Sequence, residues 1–411
     1  MRGIKANTCK SELDSEPDRV AELLKIIGVE SLNLCFFFYL SGELVLPKQH
    51  KTKDEMVIGF PKENDDKRVG MVPAVLPKLK ALGVEVLIEK GAGERALFAD
   101  EDYEQEAALV SREELLAQSD VLISISPVPQ AEWSRLKSQA VMISRFAPYF
   151  HKEVSERIKA AGLRAFSLDM IPRTTLAQSM DVLSSFASVA GYKAVLLAAN
   201  YLPRYFPMMI TAAGSIKPAK VLVLGAGVAG LQAIATAKRL GAMVEASDTR
   251  LAAKEEVESL GGKFILVEGA KDDASAGGYA VEQSEDFLRR QREEVQLRAS
   301  KSDVIITTAQ VRGRKAPLLL PRETVEKMRP GSVIVDLAAS TGGNCELTQD
   351  RKVITHQGVT IIGNSDLAAD LPQDASFLFA NNILNFLKLL VQEGALQIDE
   401  ENEIIKGALI A

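Results

Sequence analysis

The chain has 411 residues, of which 47% are hydrophobic and 25% charged, proportions typical of a soluble globular protein with two or three domains. Its 49 basic and 55 acidic residues give a formal net charge of −6, which argues against nucleic acid or an anionic membrane surface as a partner. Three cysteines and three histidines are scattered along the chain, so we expect neither a disulfide framework nor a metal site. No apolar run reaches 18 residues, and we therefore expect no direct membrane insertion.

Residues 1–55 differ in character from the rest of the chain, and we interpret them as a disordered extension. The mixture of acidic and basic residues in 1–30 argues against a transit peptide. The apolar stretch at 34–40 is too short to span a membrane and too far from the start for a secretory signal. Regular structure is expected to begin at Met56.

Residues 56–182 alternate between short apolar runs and amphipathic stretches, the pattern of an α/β domain. Short runs of aliphatic and β-branched residues predict buried strands of a parallel sheet. The predicted strands cover 56–60, 84–89, 121–126, 141–144 and 164–167, and the predicted helices cover 72–82, 102–118 and 152–161.

A mostly apolar helical pattern at 183–202 is expected to bridge to a second α/β domain. The alternation there predicts a doubly wound parallel sheet, so the fold class is α/β with two Rossmann-like domains. An apolar helix at 377–391 is expected to return to the first domain, which then comprises 56–182 plus 371–411, with 183–370 as the second. The predicted strands of the second domain cover 221–224, 243–247, 263–267, 303–308, 332–336 and 359–363, and its helices 231–240, 287–299 and 322–328.

Residues 221–248 contain a strand, three glycines, a helix and a second strand in the order that a dinucleotide site requires. Gly225 permits a tight turn, Gly227 lets the backbone approach a pyrophosphate, and Gly230 allows the helix to pack closely on the strand. Asp248, at the end of the second strand, can accept hydrogen bonds from the adenosine ribose. The alternative, a glycine-rich turn in an unrelated α/β fold, does not account for the whole series in register.

The residues around Asp248 bear on the choice between NAD(H) and NADP(H). A carboxylate at this position repels a 2′-phosphate, so NAD(H) is the predicted cofactor. Thr249 and Arg250 are expected beside the same ribose, and Arg250 leaves open the accommodation of a 2′-phosphate. The amide of Val228 is expected to face the pyrophosphate at the helix N-terminus.

The segments MVIGFPKE, RVGMVP, EKGAG and VDLAASTGGNC, together with the glycine fingerprint, resemble a known family. It comprises alanine dehydrogenase and the NAD(H)-binding component of proton-translocating nicotinamide nucleotide transhydrogenase. The resemblance runs from Met56 onward. Residues 172–185, PRTTLAQSMDVLSS, resemble the transhydrogenase loop that carries an arginine, a glutamine and an aspartate around the nicotinamide.

This resemblance implies catalytic roles for four residues of that loop. Arg173 would bond the nicotinamide carboxamide and offset charge on the pyrophosphate, and Gln178 would reach the ribose of a second nucleotide across a subunit gap. Asp181 and Ser184 would orient the carboxamide. The alternatives are a surface arginine in a salt bridge, a plain loop amide, and a helix cap at Asp181.

Departures from alanine dehydrogenase favour the transhydrogenase. Ser124 and Ser126 stand on the strand where alanine dehydrogenase uses a lysine, and Phe146 stands near the position of its histidine. Arg68 remains as a cation for a substrate carboxylate, but no proton acceptor is visible. Oxidation of an amino acid needs such a base, whereas hydride transfer between two nicotinamides needs positioning.

Further residues are assigned by the family resemblance or by their position. Gly278, Gln291 and Gln310 would lie near the adenosine, and Tyr279, in the small-residue loop 269–283, would close over the bound nucleotide. The alternative for that loop is a flexible surface segment. For Asp336 and the turn at 342–344, a binding role and a structural turn capped by the acid are equally supported.

We therefore predict an NAD(H)-binding enzyme subunit that passes hydride directly between NADH and NADP+ held on a partner component. By resemblance, membrane-spanning subunits would couple this transfer to proton translocation, and the chain would form a homodimer at the cytoplasmic face of the inner membrane. The alternatives are an alanine dehydrogenase-type enzyme and a non-catalytic NAD-binding module.

Overall fold

The computed structural model describes residues 55–266 and 285–411. The extension predicted at 1–55 lies outside the described residues except for Glu55, and so does the predicted nucleotide lid around Tyr279. The described residues from Glu55 onward form one compact unit that contains two parallel sheets.

The first sheet has the strand order β3-β2-β1-β4-β5-β6, and every pair in it is parallel. Its four central strands are buried along almost their whole length, which explains their continuous apolar sequence. The strands are β1 Val57–Phe60, β2 Glu85–Glu89, β3 Ala108–Val110, β4 Val121–Ile123, β5 Val141–Ser144 and β6 Arg164–Ser167, and the helices are α1 Leu76–Lys80, α2 Arg112–Gln118 and α3 Val154–Ala160.

The helix predicted at 102–118 is wrong over its first half. A short 3-10 turn at Asp100–Asp102 is followed by β3, which pairs with β2, and α2 begins only at Arg112. Ser111 caps α2 by accepting from the amide of Glu114, whose side chain accepts from the amide of Ser111 in return. This capping box fixes the start of the helix and leaves the preceding residues free to form an edge strand.

The second sheet has the order β11-β10-β9-β12-β13-β15-β14 among the described residues and is parallel except for the edge strand β14. The α/β architecture predicted for both domains is confirmed, while the antiparallel edge was not predicted. The elements are α4 Val182–Tyr201, β7 Met209–Thr211, β8 Gly214–Ile216, β9 Lys220–Leu224, α5 Val228–Arg239, β10 Met243–Ser247, α6 Ala253–Ser259, β11 Lys263–Phe264, α7 Glu285–Ala299, β12 Val304–Thr307, α8 Arg322–Glu326, β13 Val333–Asp336, β14 Lys352–His356 and β15 Val359–Gly363.

Helix α4 connects the two cores. Its first half packs in the first core and its second half in the second. It is the one helix in the described part of the chain that is long and apolar enough to cross a membrane by composition. Its side chains lie in both cores, and a core helix of a soluble protein passes the same test of length and composition.

The C-terminal segment, α9 Pro372–Leu390, β16 Val391–Gln392, β17 Ala395–Leu396 and α10 Glu403–Ala408, packs in the core of the first sheet. The ring of Phe386 meets that of Phe166 edge-on, with centroids 5.7 Å apart, and the ring of Phe379 stacks on that of Phe186 at 5.8 Å. Each of these buried rings contributes about 1.5–3 kcal/mol through burial.

Candidate functional site

The candidate site begins at the carboxyl ends of β9 and β12, where the strand order of the second sheet reverses. Such a switch point forms a crevice in which open α/β sheets bind ligands. Gly225 has a φ of +102°, and a Cβ there would lie 2.5 Å from Oγ1 of Thr308. The same hydroxyl donates to the carbonyl of Gly225 at 3.0 Å. The turn therefore requires glycine both for its conformation and for the close approach of Thr308.

The two other glycines of the fingerprint have separate roles in the structure. A Cβ at Gly230 would lie 1.9 Å from the carbonyl oxygen of Gly225, so this glycine lets α5 pack against the turn. Gly227 is the N-cap of α5 with an ordinary φ of −76°, and a Cβ there would meet no heavy atom within 4 Å. No side chain caps the helix, and Val228 is 44% exposed. The first amides of α5 thus face open space, as an anion site requires.

Asp248 is held by the protein at the edge of the same crevice. Its Oδ2 accepts from the amide of Ala226 at 2.7 Å, and its Oδ1 accepts from the amide of Arg250 at 2.8 Å. The guanidinium of Arg250 also bonds this carboxylate and the carbonyl of Ala226. The hydrogen bond from Asp248 raises the pKa of Arg250. Arg250 is therefore engaged with Asp248 rather than free to meet a phosphate.

The remaining residues predicted near the adenosine are distributed around Asp248. The side-chain amide of Gln291 donates to the carbonyl of Asp248 at 3.4 Å, and Thr249 is exposed. Gln310 is exposed after β12 and donates to the carbonyl of Leu337 at 2.9 Å. The predicted roles of Gly278 and Tyr279 lie outside the described residues.

The loop at 172–185 divides into exposed and anchored residues. Arg173 and Gln178 are exposed, and their side chains make no hydrogen bond to the described part of the protein. Asp181 is the N-cap of α4, because its Oδ1 accepts from the amide of Ser184 at 3.0 Å and its Oδ2 accepts from the Ser184 hydroxyl at 2.6 Å. The helix-cap alternative considered for Asp181 is thus present, and it fixes the carboxylate and the hydroxyl relative to α4.

Contacts between the two domains bring this loop beside the crevice. Arg312, in the segment after β12, donates to the carbonyl of Ile171 at 3.4 Å, two residues before Arg173. Inside α4, a Cβ at Gly191 would lie 2.1 Å from the carbonyl oxygen of Ala229 in the first turn of α5. The helix that starts at Asp181 therefore touches the helix whose N-terminus forms the anion site.

A buried group of charges lies at the carboxyl edge of the first sheet. Arg68 is fully buried and pairs with Asp66 and with Asp366, whose Oδ1 lies 2.8 Å from its Nη2. Its Nη1 has no hydrogen-bond partner among the described residues. Since two carboxylates already neutralise Arg68, it is poorly suited to hold the carboxylate of an amino-acid substrate.

Glu63 is a titratable group that the sequence did not bring forward. Burial raises its pKa to about 7, against hydrogen bonds from the amides of Ile125 and Ser126 that lower it. Its side chain is only 5% exposed, so it is bonded to backbone rather than presented to a substrate. Ser124 donates to Ser144 and Phe146 is buried. No described residue here is placed as a proton acceptor for amino-acid oxidation.

Asp336 and the turn at 342–344 have a structural role. The carboxylate of Asp336 is fully buried and accepts from the amide of Asn344 at 2.7 Å and from the hydroxyl of Thr348 at 2.6 Å. Asn344 in turn bonds both backbone groups of Ala309, which follows β12. This network holds the segment that carries Gln310. No cluster that could hold a metal ion occurs among residues 55–266 and 285–411.

Two site residues, Thr308 and Arg312, were missed by the sequence reasoning. Thr308 ends a buried strand and Arg312 lies in a polar loop, so neither stands out in its local pattern. Their position after the strand that follows the switch point is the one signal that could have suggested them.

Two family models match the chain. "Alanine dehydrogenase/PNT, N-terminal domain" matches residues 59–190, and "Alanine dehydrogenase/PNT, C-terminal domain" matches residues 194–411. Together they confirm the resemblance found in the sequence from the first strand to the last helix.

Individual proteins separate the two branches of this family. An NAD(P) transhydrogenase subunit alpha protein from Rhodospirillum rubrum is 43% identical over 368 residues, which cover 86% of this chain and 96% of that protein. The crystal structure of transhydrogenase from Sinorhizobium meliloti has a TM-score of 0.79 at 41% identity, covering 86% of this chain and 97% of that one. Alanine dehydrogenase from Mycolicibacterium smegmatis is 25% identical over 353 residues, 82% of this chain and 88% of that protein. Similarity is therefore much stronger to the transhydrogenases.

Proposed function

Because the chain belongs to the alanine dehydrogenase/PNT family, we propose that it is the NAD(H)-binding α subunit of a proton-translocating NAD(P) transhydrogenase. It would transfer hydride directly from NADH to NADP+ held on a partner component. One observation carries this proposal: the loop with Arg173 and Gln178 lies beside a dinucleotide crevice, and no base is placed at the buried charges of Arg68. Hydride transfer between two nicotinamides moves no proton at the reacting carbons, so such a site needs geometry alone.

The roles of the site residues follow from their positions. The first turn of α5, from Gly227 and Val228, binds the pyrophosphate through its amides. Asp181 and Ser184 orient the nicotinamide carboxamide from the start of α4, and Arg173 bonds the same carboxamide or the pyrophosphate. These roles place the ring at the loop, with one face toward the partner component.

Gln178 has a different role from the residues that orient NADH. Its exposed amide extends from the loop, so it can bond the ribose of the second nucleotide on the partner. An uncharged group that both donates and accepts suits a ribose hydroxyl at a subunit boundary.

A preference for NAD(H) over NADP(H) rests on Asp248. Its carboxylate accepts hydrogen bonds from ribose hydroxyls and repels a 2′-phosphate. The guanidinium of Arg250 is committed to Asp248 and to the carbonyl of Ala226, so a 2′-phosphate would have to compete with these bonds.

We further propose how the subunit is organised. Residues 371–411 belong with 56–182 in the first domain because α9 and α10 pack in its core, and 183–370 form the nucleotide domain. Membrane-spanning and NADP(H)-binding subunits hold the chain at the cytoplasmic face of the inner membrane and couple hydride transfer to proton translocation.

A second copy of the chain is the proposed partner of the hairpin β7–β8. The hairpin stands apart from both large sheets, and Met208 and Ile210 are 61% and 74% exposed. A two-stranded hairpin is marginally stable alone, and exposed apolar side chains close together indicate a contact surface. Sedimentation of the native chain and of Ile210→Ser at several concentrations tests this. We expect a dimer that the substitution weakens, and a monomeric native chain would contradict the homodimer.

The reaction is tested with the purified chain and an NADP(H)-binding partner component. Hydride exchange between NADH and an acetylpyridine analogue of the second nucleotide is followed spectroscopically. We expect exchange only with the partner present, and a rate about 10- to 100-fold lower for Arg173→Ala. Arg157→Ala is the control, since Arg157 is an exposed arginine of α3 remote from the loop in sequence. Alanine-dependent reduction of NAD+ by the chain alone would contradict the proposal, and tight NADH binding without exchange would favour a non-catalytic module.

A further inference from the structure

Two asparagines of α9 contact the proposed nicotinamide loop from behind. The side-chain amide of Asn382 donates to the carbonyl of Ser179 at 2.8 Å, and that of Asn385 donates to the same oxygen at 3.3 Å. Residues three apart on a helix lie on one face, so both donors converge on one acceptor. Ser179 lies between Gln178 and Asp181, in the 3-10 turn Gln178–Met180.

The remaining anchors of this loop are apolar or local. Ala177 and Met180 are buried in the first core, and the amide of Met180 donates to the carbonyl of Ala177 within the loop. Apolar burial is non-directional, so it fixes how deep the turn sits but not how it is rotated. Hydrogen bonds depend steeply on angle. The two bonds to Ser179 therefore fix the orientation of the turn, and with it the direction of the Gln178 side chain.

The burial of Asn382 supports a specific role. Its side chain is 6% exposed, yet its Oδ1 has no hydrogen-bond partner among the described residues. A buried amide with an unsatisfied oxygen costs stability that an apolar residue of similar size would avoid. The Asn382 amide is therefore unfavourable for packing alone and useful where its donor is needed.

We propose that Asn382 and Asn385 are positioning residues for hydride transfer. They hold the carbonyl of Ser179 so that Gln178 and the start of α4 keep the orientation in which the two nicotinamides meet. This inference rests on the proposed function of the loop. Since these residues lie behind the loop and touch no nucleotide in the proposed arrangement, their loss affects the transfer step rather than the affinity for NADH.

The test uses the full chain with Asn382→Leu, Asn385→Ala and the double variant. Asn381→Ala is the matched control, because Asn381 lies on the same helix and donates only to the carbonyl of Phe377 in its own helix. Three quantities are measured: amide hydrogen exchange of residues 174–181, the dissociation constant for NADH, and the single-turnover rate of hydride transfer to the partner-bound nucleotide. Thermal unfolding of each variant monitors the fold.

We expect the double variant to exchange its loop amides faster and to transfer hydride about 10- to 100-fold more slowly, with an unchanged dissociation constant for NADH. Equal transfer rates in the double variant and in Asn381→Ala would overturn the proposal, whatever the exchange data show. Gln178→Ala is measured in parallel. If it has no effect while the double variant is slow, the positioning role stands and the proposed role of Gln178 fails.

Discussion

The pair Gly227→Ala and Gly230→Ala separates folding from nucleotide binding within one turn of α5. At Gly227 the added methyl group meets no heavy atom within 4 Å and the φ of −76° is ordinary. The cost in stability is then that of a poorer N-cap, about 1 kcal/mol or less. At Gly230 the methyl group would lie 1.9 Å from the carbonyl oxygen of Gly225, so α5 must move. Overpacking of this kind costs about 1–3 kcal/mol or more.

The effect of Gly227→Ala on binding is expected to be much larger than its effect on stability. The new methyl group fills the space through which a pyrophosphate reaches the first amides of α5. A hydrogen bond to a charged group contributes about 1.5–3 kcal/mol, so the loss of one or two weakens NADH binding by roughly 10- to 1,000-fold. Fluorescence titration with NADH and urea denaturation measure the two effects on the same samples. Native NADH affinity in Gly227→Ala would refute the placement of the pyrophosphate.

Three further substitutions test other regions of the structure. Asp248→Asn should weaken NADH binding by roughly 10- to 100-fold and narrow the gap between NADH and NADPH affinities; an unchanged ratio in paired titrations would contradict the role of the carboxylate. Burial raises the pKa of Glu63 to about 7 in the folded chain from an ordinary 4.5, so its ionisation opposes folding increasingly as pH rises through this window. The unfolding free energy of Glu63→Gln relative to the native chain should therefore increase by about 2–3 kcal/mol between pH 5 and pH 8, whereas a constant difference in urea denaturation would contradict the shift. Gly191→Ala should lower the unfolding free energy by about 1–3 kcal/mol because its methyl group meets the carbonyl of Ala229 at 2.1 Å, and Ser188→Ala on the same helix should not.

Much of the fold could be predicted because its strands are buried on both faces. A strand such as β9 reads as a continuous apolar run whatever its neighbours are. The edge strands were missed for the same reason. The residues of β3 are exposed or half-buried, and the five residues of β14 are likewise exposed or half-buried. Their sequences carry no apolar run, and only pairing with β2 and β15 makes them strands.

The site was predictable where its chemistry is local. The glycines and Asp248 lie within one strand–helix–strand unit, so their spacing alone indicated their roles. The contacts that hold the site join distant regions of the chain. Thr308 bonds Gly225 across 83 residues, Arg312 bonds Ile171 across 141, and Asn382 bonds Ser179 across 203. No sequence spacing indicates such pairs, although asparagines in an apolar helix were a signal that went unused.

Helix α4 decides how the two halves of the site act together. Its N-terminus carries Asp181 and Ser184, and Gly191 touches the first turn of α5. Seven residues separate Ser184 from Gly191, roughly 10 Å along the axis at 1.5 Å per residue. One continuous helix thus sets the distance between the groups proposed to orient the nicotinamide and those proposed to bind the pyrophosphate. A bound dinucleotide would be held at both ends by a rigid element, so a shift of α4 on α5 would misplace the nicotinamide even where the pyrophosphate stays bound. For this reason Gly191→Ala should reduce hydride transfer more than it reduces NADH affinity.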